Sequence, residues 1–302
     1  MKALNWITNR HVLSALCAAP LLFSSAFASA EDAAPAVAAA AAPAPAYTLT
    51  YNLGMYSDYI FRGVSFSNGP ALQGGIDWAH SSGFYLGTWF SNLDPDLFGQ
   101  NATLGSKGNH LETDFYAGYA HTFENGFGVN FLGNYYKYFE GRSASSYDVA
   151  GNPILTGHKQ DTFEASVALS YKWFTYTYFN VLTDWYGQNA TNSSFGSIRN
   201  RDTKNSDYNE LKFNYTLPVA DLNLMAKVGY QTTSNLQGDQ GDFAVGLNRN
   251  FSLPSAGKPL EGFNAGAIYS DTFNVKNPTY YVDVNGNVIN GKHLMFFVKR
   301  SW

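Results

Sequence analysis

The sequence predicts an all-β protein, a transmembrane antiparallel up-and-down β-barrel of about twelve strands with short periplasmic turns and longer extracellular loops. Three observations predict it. Apolar residues recur at every second position from Tyr47 onward, which is the period of a strand. Short and long connections alternate along the chain. The composition is aromatic-rich and charge-poor, with 6 Trp, 21 Tyr and 23 Phe against 14% charged residues, yet the mean hydropathy of -0.23 is mildly polar. Beyond the first thirty positions no apolar run reaches the roughly 18 residues of a membrane helix, so helical spans are excluded. The balance of 19 Lys+Arg against 23 Asp+Glu disfavours a nucleic-acid binder, and a single Cys disfavours a disulfide scaffold.

Residues 1–30 are predicted to be a signal peptide. Lys2 and Arg10 give the positive start, Val12 to Phe27 the apolar stretch, and Ala28-Ser29-Ala30 the small-residue cleavage pattern before Glu31. Cleavage there removes Cys17 and two bases, leaving the mature chain without Cys and more acidic than the -4 of the whole. Residues 31–46 are Ala- and Pro-rich with no periodic pattern, and read as a flexible leader. Residues 47–302 are the barrel.

Within it, turn signals cut the chain into strands near 47–66, 70–80, 83–92, 111–123, 126–139, 160–172, 173–184, 207–217, 222–235, 241–252, 262–273 and 293–302. Phe127, Val129, Phe131, Tyr135 and Phe139 share one face of the fifth strand, with Gly128, Asn130 and Asn134 on the other. The eighth opposes Leu211, Phe213 and Tyr215 to Glu210, Lys212 and Asn214. Short corners fall at 80–83, 123–126, 172–173, 217–222 and 253–262. Long polar loops fall at about 93–110, 140–159, 185–206 and 274–292, with shorter ones at 67–69 and 236–240. All long loops then leave one rim and both chain ends the other. At a rise of about 3.4 Å per residue, ten residues tilted by about 40° cover roughly 26 Å, close to the apolar band of outer-membrane barrels. A soluble sandwich also alternates, but its polar face is rich in Lys and Glu rather than Gly, Asn, Ser and Thr. Arg249, between Leu247 and Phe251 on the lipid face, either snorkels to the boundary or marks a slip of register.

The segment from Asn52 to Ser65 carries Ser57, Asp58, Tyr59, Phe61, Arg62 and Gly63, and is followed by Pro70 to Asp77 and Ser82 to Trp89. This stretch resembles the TorF family of outer-membrane porins, in which a Ser-Asp-Tyr-x-Phe-Arg-Gly run opens the barrel. The match is specific over 47 to about 92 and extends to the end as strand rhythm. The resemblance implies an outer-membrane barrel of pore function with no assigned substrate. Trp302 departs from the Phe usual at the end of such chains, and Arg300 stands where an apolar residue or Tyr is typical.

Parity assigns the interior. If Thr48, Thr50, Asn52 and Gly54 face inward, so do Asp58 and Arg62, four apart on one strand, either lining a pore or pairing to brace its wall. The inward acids are then Asp58, Asp77, Glu112, Asp114, Glu164 and Glu210, against the bases Arg62, Lys172, Lys212 and Lys227. Charged rings set ion preference in channels, so the expectation is a near-neutral to mildly cation-preferring passage for ions or small hydrophilic solutes. Twelve strands enclose more than a filled eight-stranded barrel and less than a large porin.

Two other classes use such barrels. An outer-membrane enzyme of lipase or protease type needs a nucleophile, a His base and an orienting partner. His80, His110, His121, His158 and His293 fall at turns, loop edges and near a rim with no Ser-His-Asp grouping, so no catalytic residue and no cofactor is expected. A surface adhesin or receptor would use the loops. Arg199, Arg201 and Lys204 form a basic extracellular cluster suited to lipopolysaccharide phosphates or acidic solutes, or simply a solvated loop. Asp94 with Asp96 and Asp239 with Asp242 lack the ligand count of a Ca²⁺ loop, so no metal is assigned. The expected partners are outer-membrane lipid and lipopolysaccharide, small solutes or ions, and the barrel-assembly machinery through the C-terminal strand, with no nucleic acid.

Overall fold

The computed structural model describes residues 46–95, 109–139, 146–147, 153–154, 159–188, 202–218, 221–283 and 286–302. Twelve antiparallel strands close into one barrel. They are β1 (Tyr47–Tyr56), β2 (Ala71–His80), β3 (Phe84–Asn92), β4 (Leu111–Thr122), β5 (Phe127–Tyr138) and β6 (Thr162–Tyr171). They continue as β7 (Phe174–Val181), β8 (Asp207–Thr216), β9 (Leu222–Thr232), β10 (Gln240–Leu253), β11 (Leu260–Phe273) and β12 (His293–Ser301). Each strand pairs with its sequence neighbour, and β1 also pairs with β12, so no edge is left to be satisfied in hydrocarbon. Among the described residues no helix is long and apolar enough to cross a membrane.

Period two decides which side chain goes where. Leu49, Ile76, Leu86, Phe131, Val167, Val245 and Phe296 stand exposed on the outside, while Asp77, Asn130, Glu164, Ala244 and Phe297 are buried on the inside. At the rim bearing the chain ends, rings meet across neighbouring strands: Tyr47 with Trp78, Phe84 with Tyr119, Trp173 with Tyr215, Phe251 with Phe263, and Tyr51 with Trp302. This is the aromatic girdle expected where lipid meets water.

Arg249 stays in register and outward, opposite Leu222 and Ala265, and the irregularity of β10 comes only between Phe251 and Leu253. Leu222 is the first residue of β9, so the charge sits near the periplasmic boundary, within snorkelling reach of water. Arg300 is also near that rim, its guanidinium 5.1 Å from the Phe263 ring and 5.5 Å from Trp302.

Strand bounds agree with the alternation to within a few residues except at the first. The expected strand 47–66 ends at Tyr56. From Ser57 the chain leaves the wall, folds into the barrel and returns to it at Ala71, directly opposite Tyr56.

Candidate functional site

The inward segment Ser57–Pro70 is a small hairpin, with arms Ile60–Phe61 and Val64–Ser65. Its foot is held to β12, because the Ser57 N–H donates to the Phe296 carbonyl (2.8 Å) and the Phe296 N–H to Ser57 Oγ (2.9 Å). Asp58 Oδ1 accepts from Ser65 Oγ (2.8 Å) and Ser67 Oγ (3.0 Å), which ties the two arms together. The turn is Arg62–Gly63, with φ of 48° and 80°. Two residues with positive φ make the tight turn that matches strand twist, and Arg in that conformation costs about 1–2 kcal/mol. Local strain of this kind persists only where the surroundings over-determine it.

The surroundings do so. Arg62 Nη2 donates to both oxygens of Glu164 on β6, each at 2.9 Å, and Nη1 to Gln231 Oε1 on β9 at 2.8 Å. The guanidinium carbon lies 4.3 Å from the Tyr208 ring, 4.7 Å from Phe61, 5.0 Å from Phe179 and 5.6 Å from Trp185. Gln240 Nε2 donates to the Arg62 carbonyl at 3.0 Å, and the Ser65 N–H to Ile289 at 2.7 Å. The hairpin starts between β1 and β2, and its tip rests on strands from β6 to β11, with the Arg62 side chain bonded to β6 and β9. In a ring of twelve strands that is the opposite wall, so the hairpin crosses the lumen as a bar.

Aromatics fill the space beside the bar. Tyr59 is wholly buried, meets Trp89 and Phe66 edge-on, and donates to Glu112 at 3.0 Å. Tyr138 donates to the other Glu112 oxygen at 2.9 Å, and Tyr136 to Glu164 at 3.0 Å. A one-turn 3₁₀ helix, Trp185–Gly187, packs Tyr186 against Phe66 and Tyr138. The division into a greasy outside and a small, wet inside therefore fails near the extracellular mouth, where inward Tyr and Trp pack on the bar.

The expected interior charges separate into two walls. On β2 to β6 stand Asp77, Glu112, Asp114 and Glu164, all buried. Tyr116 donates to Asp77, and Asn134 Nδ2 to Asp114 at 3.0 Å. Among the described residues no salt bridge joins Asp77, Glu112 or Asp114 to a cation. On β8 to β10 acids and bases neutralise one another: Lys212 lies 2.9 Å from Glu210, and Lys227 2.9 Å from Asp242 and 3.6 Å from Glu210.

Three expectations about position change. Asp58 and Arg62 do not pair and do not share a strand, since Asp58 belongs to the foot of the bar and Arg62 to its tip. Lys172 is not on the interior wall; it lies exposed in the β6–β7 turn with φ of 53°, its ammonium 5.3 Å from the Tyr171 ring, because the strand ends one residue earlier than its alternation suggests. Asp239 and Asp242 do not form a pair, because Asp242 faces inward on β10 while Asp239 stays in the outer loop. There it accepts from Thr233 N–H at 2.8 Å and from Lys276 Nζ at 2.9 Å. Burial pushes the Asp239 carboxyl up, but these donors outweigh it and hold it below the usual carboxylate range. In the basic cluster, Lys204 is exposed in the loop before β8, while Arg199 and Arg201 lie outside the described residues, as do Asp96 and His158.

Sequence reasoning missed Tyr59, Tyr208, Gln240 and Asp242 as partners of the bar and of Lys227. Parity alone would have found Tyr208, two residues before Glu210. The structure also brings His293 Nδ1 to 3.7 Å from Asp58 Oδ2, next to Ser65 and Ser67. Both hydroxyls donate to Asp58 rather than to the imidazole, so these four residues anchor the bar and do not form a nucleophile-base-acid relay. Among the described residues no group of His, Cys, Asp and Glu is arranged to hold a metal ion.

A closed twelve-stranded antiparallel barrel with an apolar outer band, an aromatic girdle and a charged interior defines the class: an outer-membrane β-barrel, here with an internal crossbar. The chain belongs to the Gcw_chp family, described as bacterial protein of unknown function, whose match covers residues 40–302. A comparison with curated proteins finds no match. Among solved structures the chain is similar to the KdgM porin, at 9% identity over 84% of this chain and 98% of that one, with a TM-score of 0.44. It is also similar to the COG4313 outer membrane channel from Pseudomonas putida F1, at 13% identity over 87% and 100%, with a TM-score of 0.45.

Proposed function

We propose that this protein is an outer-membrane channel for passive diffusion of ions or small hydrophilic solutes, near-neutral to mildly cation-preferring. The observation that carries the reading is the inner wall of β2 to β6, where Asp77, Glu112 and Asp114 are held by Tyr and Asn donors rather than by cations. Burying a charge costs free energy unless it is paired, and these three carboxyls have no cationic partner among the described residues, which supports a role toward passing cations beyond bracing. In a conducting state such a wall attracts cations and repels anions, while the Glu210–Lys212–Lys227–Asp242 network opposite adds little net field. The expected setting follows: export with cleavage after Ala30, folding by the barrel-assembly machinery acting on β12, and a belt of lipid and lipopolysaccharide around the outer face.

Single-channel recording in planar bilayers under a KCl gradient tests the reading. The expected result is small unitary currents whose reversal potential lies modestly on the cation side. Asp77→Asn should move that potential toward zero with little loss of folded protein, because Asp77 has no cationic partner among the described residues to orphan. Currents that are absent from folded protein, crossbar removed or not, sink the channel reading; a reversal potential on the anion side sinks the cation preference.

A further inference from the structure

Arg62 is the one charged group at the tip of the crossbar, and it combines three features that structural bracing alone does not require. It adopts a left-handed backbone where Asn is the easy choice. Its Nη2 donates to both oxygens of a carboxylate on the far wall, not to one on its own hairpin. Its partner, Glu164, belongs to the acidic wall, whose other carboxyls have no cationic partner among the described residues. The bar is anchored covalently only at β1 and β2, where Tyr56 and Ala71 face each other in register, so the hairpin can be released at its tip without unpairing a barrel strand.

Resting on the channel reading above, we infer that the Ser57–Pro70 crossbar is the gate of this channel and that Arg62 is both its latch and a determinant of its ion selectivity. In the latched state the tip bonds close the bar against β6 and β9, and the aromatics around Tyr59 and Tyr186 seal the space beside it. When the latch opens, the bar swings on its β1–β2 foot and the acidic wall of β2 to β6 faces the passage. The Arg62 charge then sets how far the four carboxylates of that wall act on passing ions. A point-charge ammonium cannot replace the latch, because the planar fork reaches Glu164 through Nη2 and Gln231 through Nη1 at the same time while its carbon lies over the Tyr208 and Phe179 rings.

Charge and latch are separable by substitution. Arg62→Lys keeps the charge and loses the fork; Arg62→Ala loses both; Glu164→Gln breaks the latch from the other side and removes a negative charge. Each protein is refolded into detergent, checked for the heat-dependent gel migration of a closed barrel, and recorded in planar bilayers beside wild type and a variant in which residues 57–70 are replaced by a short Asn-Gly turn. All three point variants are expected to raise mean current at least tenfold, toward that of the crossbar-deleted barrel. Selectivity should then split: Arg62→Ala more cation-selective than wild type, Arg62→Lys unchanged, Glu164→Gln shifted toward anions. If the crossbar-deleted barrel conducts strongly but the point variants keep wild-type current, the latch is wrong and the channel reading stands. If current rises but selectivity does not split, Arg62 is a latch without a selective role and the second half of the inference falls. A folded crossbar-deleted barrel that carries no current overturns both readings together.

Discussion

The tip of the crossbar leaves no room for a side chain at Gly63, and this makes Gly63→Ala a calibrated perturbation. A Cβ built there stands 2.4 Å from Thr272 Cγ2 and 3.0 Å from Asp242 Cβ, at φ of 80°. The backbone term for an L residue in that region is about 1–2 kcal/mol. Overpacking against a fixed wall adds about 1–3 kcal/mol. Together they weaken the seated bar by about 2–5 kcal/mol, and since every 1.4 kcal/mol is tenfold, seating falls by roughly 25-fold or more. Thr272→Ser removes the methyl responsible for the closest contact, so the double variant should recover the packing part and keep the backbone part. The assay is mean current in planar bilayers, paired with the temperature at which the folded barrel loses its fast gel migration. Gly63→Ala should conduct more than wild type with nearly wild-type barrel melting, and adding Thr272→Ser should lower the current again. Wild-type current in Gly63→Ala, or no rescue by Thr272→Ser, would show that the tip is not seated against Thr272 as described.

Other consequences are local and independent of one another. Lys227→Met leaves Glu210 and Asp242 buried without their shared cation and should destabilise the barrel by about 3 kcal/mol in urea unfolding from lipid vesicles; adding Asp242→Asn should return part of that loss, and strictly additive effects would argue against the pairing. Gly262→Ala places a Cβ 1.9 Å from the backbone carbonyl of Ser301 at φ of 84°, a contact no side-chain motion can relieve. The β11–β12 seam should open at its periplasmic end, seen as a lower yield of folded barrel; unchanged yield would contradict the register there. In the outer loops, Asp239 has a depressed pKa, so the order it lends is complete above the usual carboxylate range and is lost only as pH falls through its lowered value. The Thr233 amide, which donates to Asp239, should keep its hydrogen-exchange protection factor at pH 5 and lose it in stronger acid; loss already at pH 5 would refute the assignment.

What was legible in the sequence follows from which environments have two distinct sides. A barrel wall sorts side chains between hydrocarbon and lumen, so the alternation of Phe127 to Tyr138 or Asp207 to Thr216 reads out strand and face at once. A hairpin packed inside a barrel has no wet side. Tyr59, Ile60 and Phe61 are therefore all buried, and because Asp58, Arg62 and their neighbours still alternate loosely with apolar residues, the segment passes for a continuation of β1. Its signals were the adjacent Ile60 and Phe61, which break the period, and the Arg62–Gly63 and Asn68–Gly69–Pro70 turns. Asp77, Glu112, Asp114, Glu164 and Glu210 are buried on their strands, on the face that parity assigns them. Their partners were not legible, because a residue reaching across a lumen leaves no periodic trace in the sequence, as Arg62 with Glu164, 102 positions away, demonstrates.

The central claim is a passage through the barrel that the crossbar closes, and liposome swelling with sugars of graded size tests it most directly. Vesicles carrying folded wild-type protein should swell slowly, and those carrying the barrel with residues 57–70 replaced by a tight turn should swell fast for small sugars and progressively less for larger ones. Equal swelling in the two, or none from the folded crossbar-deleted barrel, would contradict it.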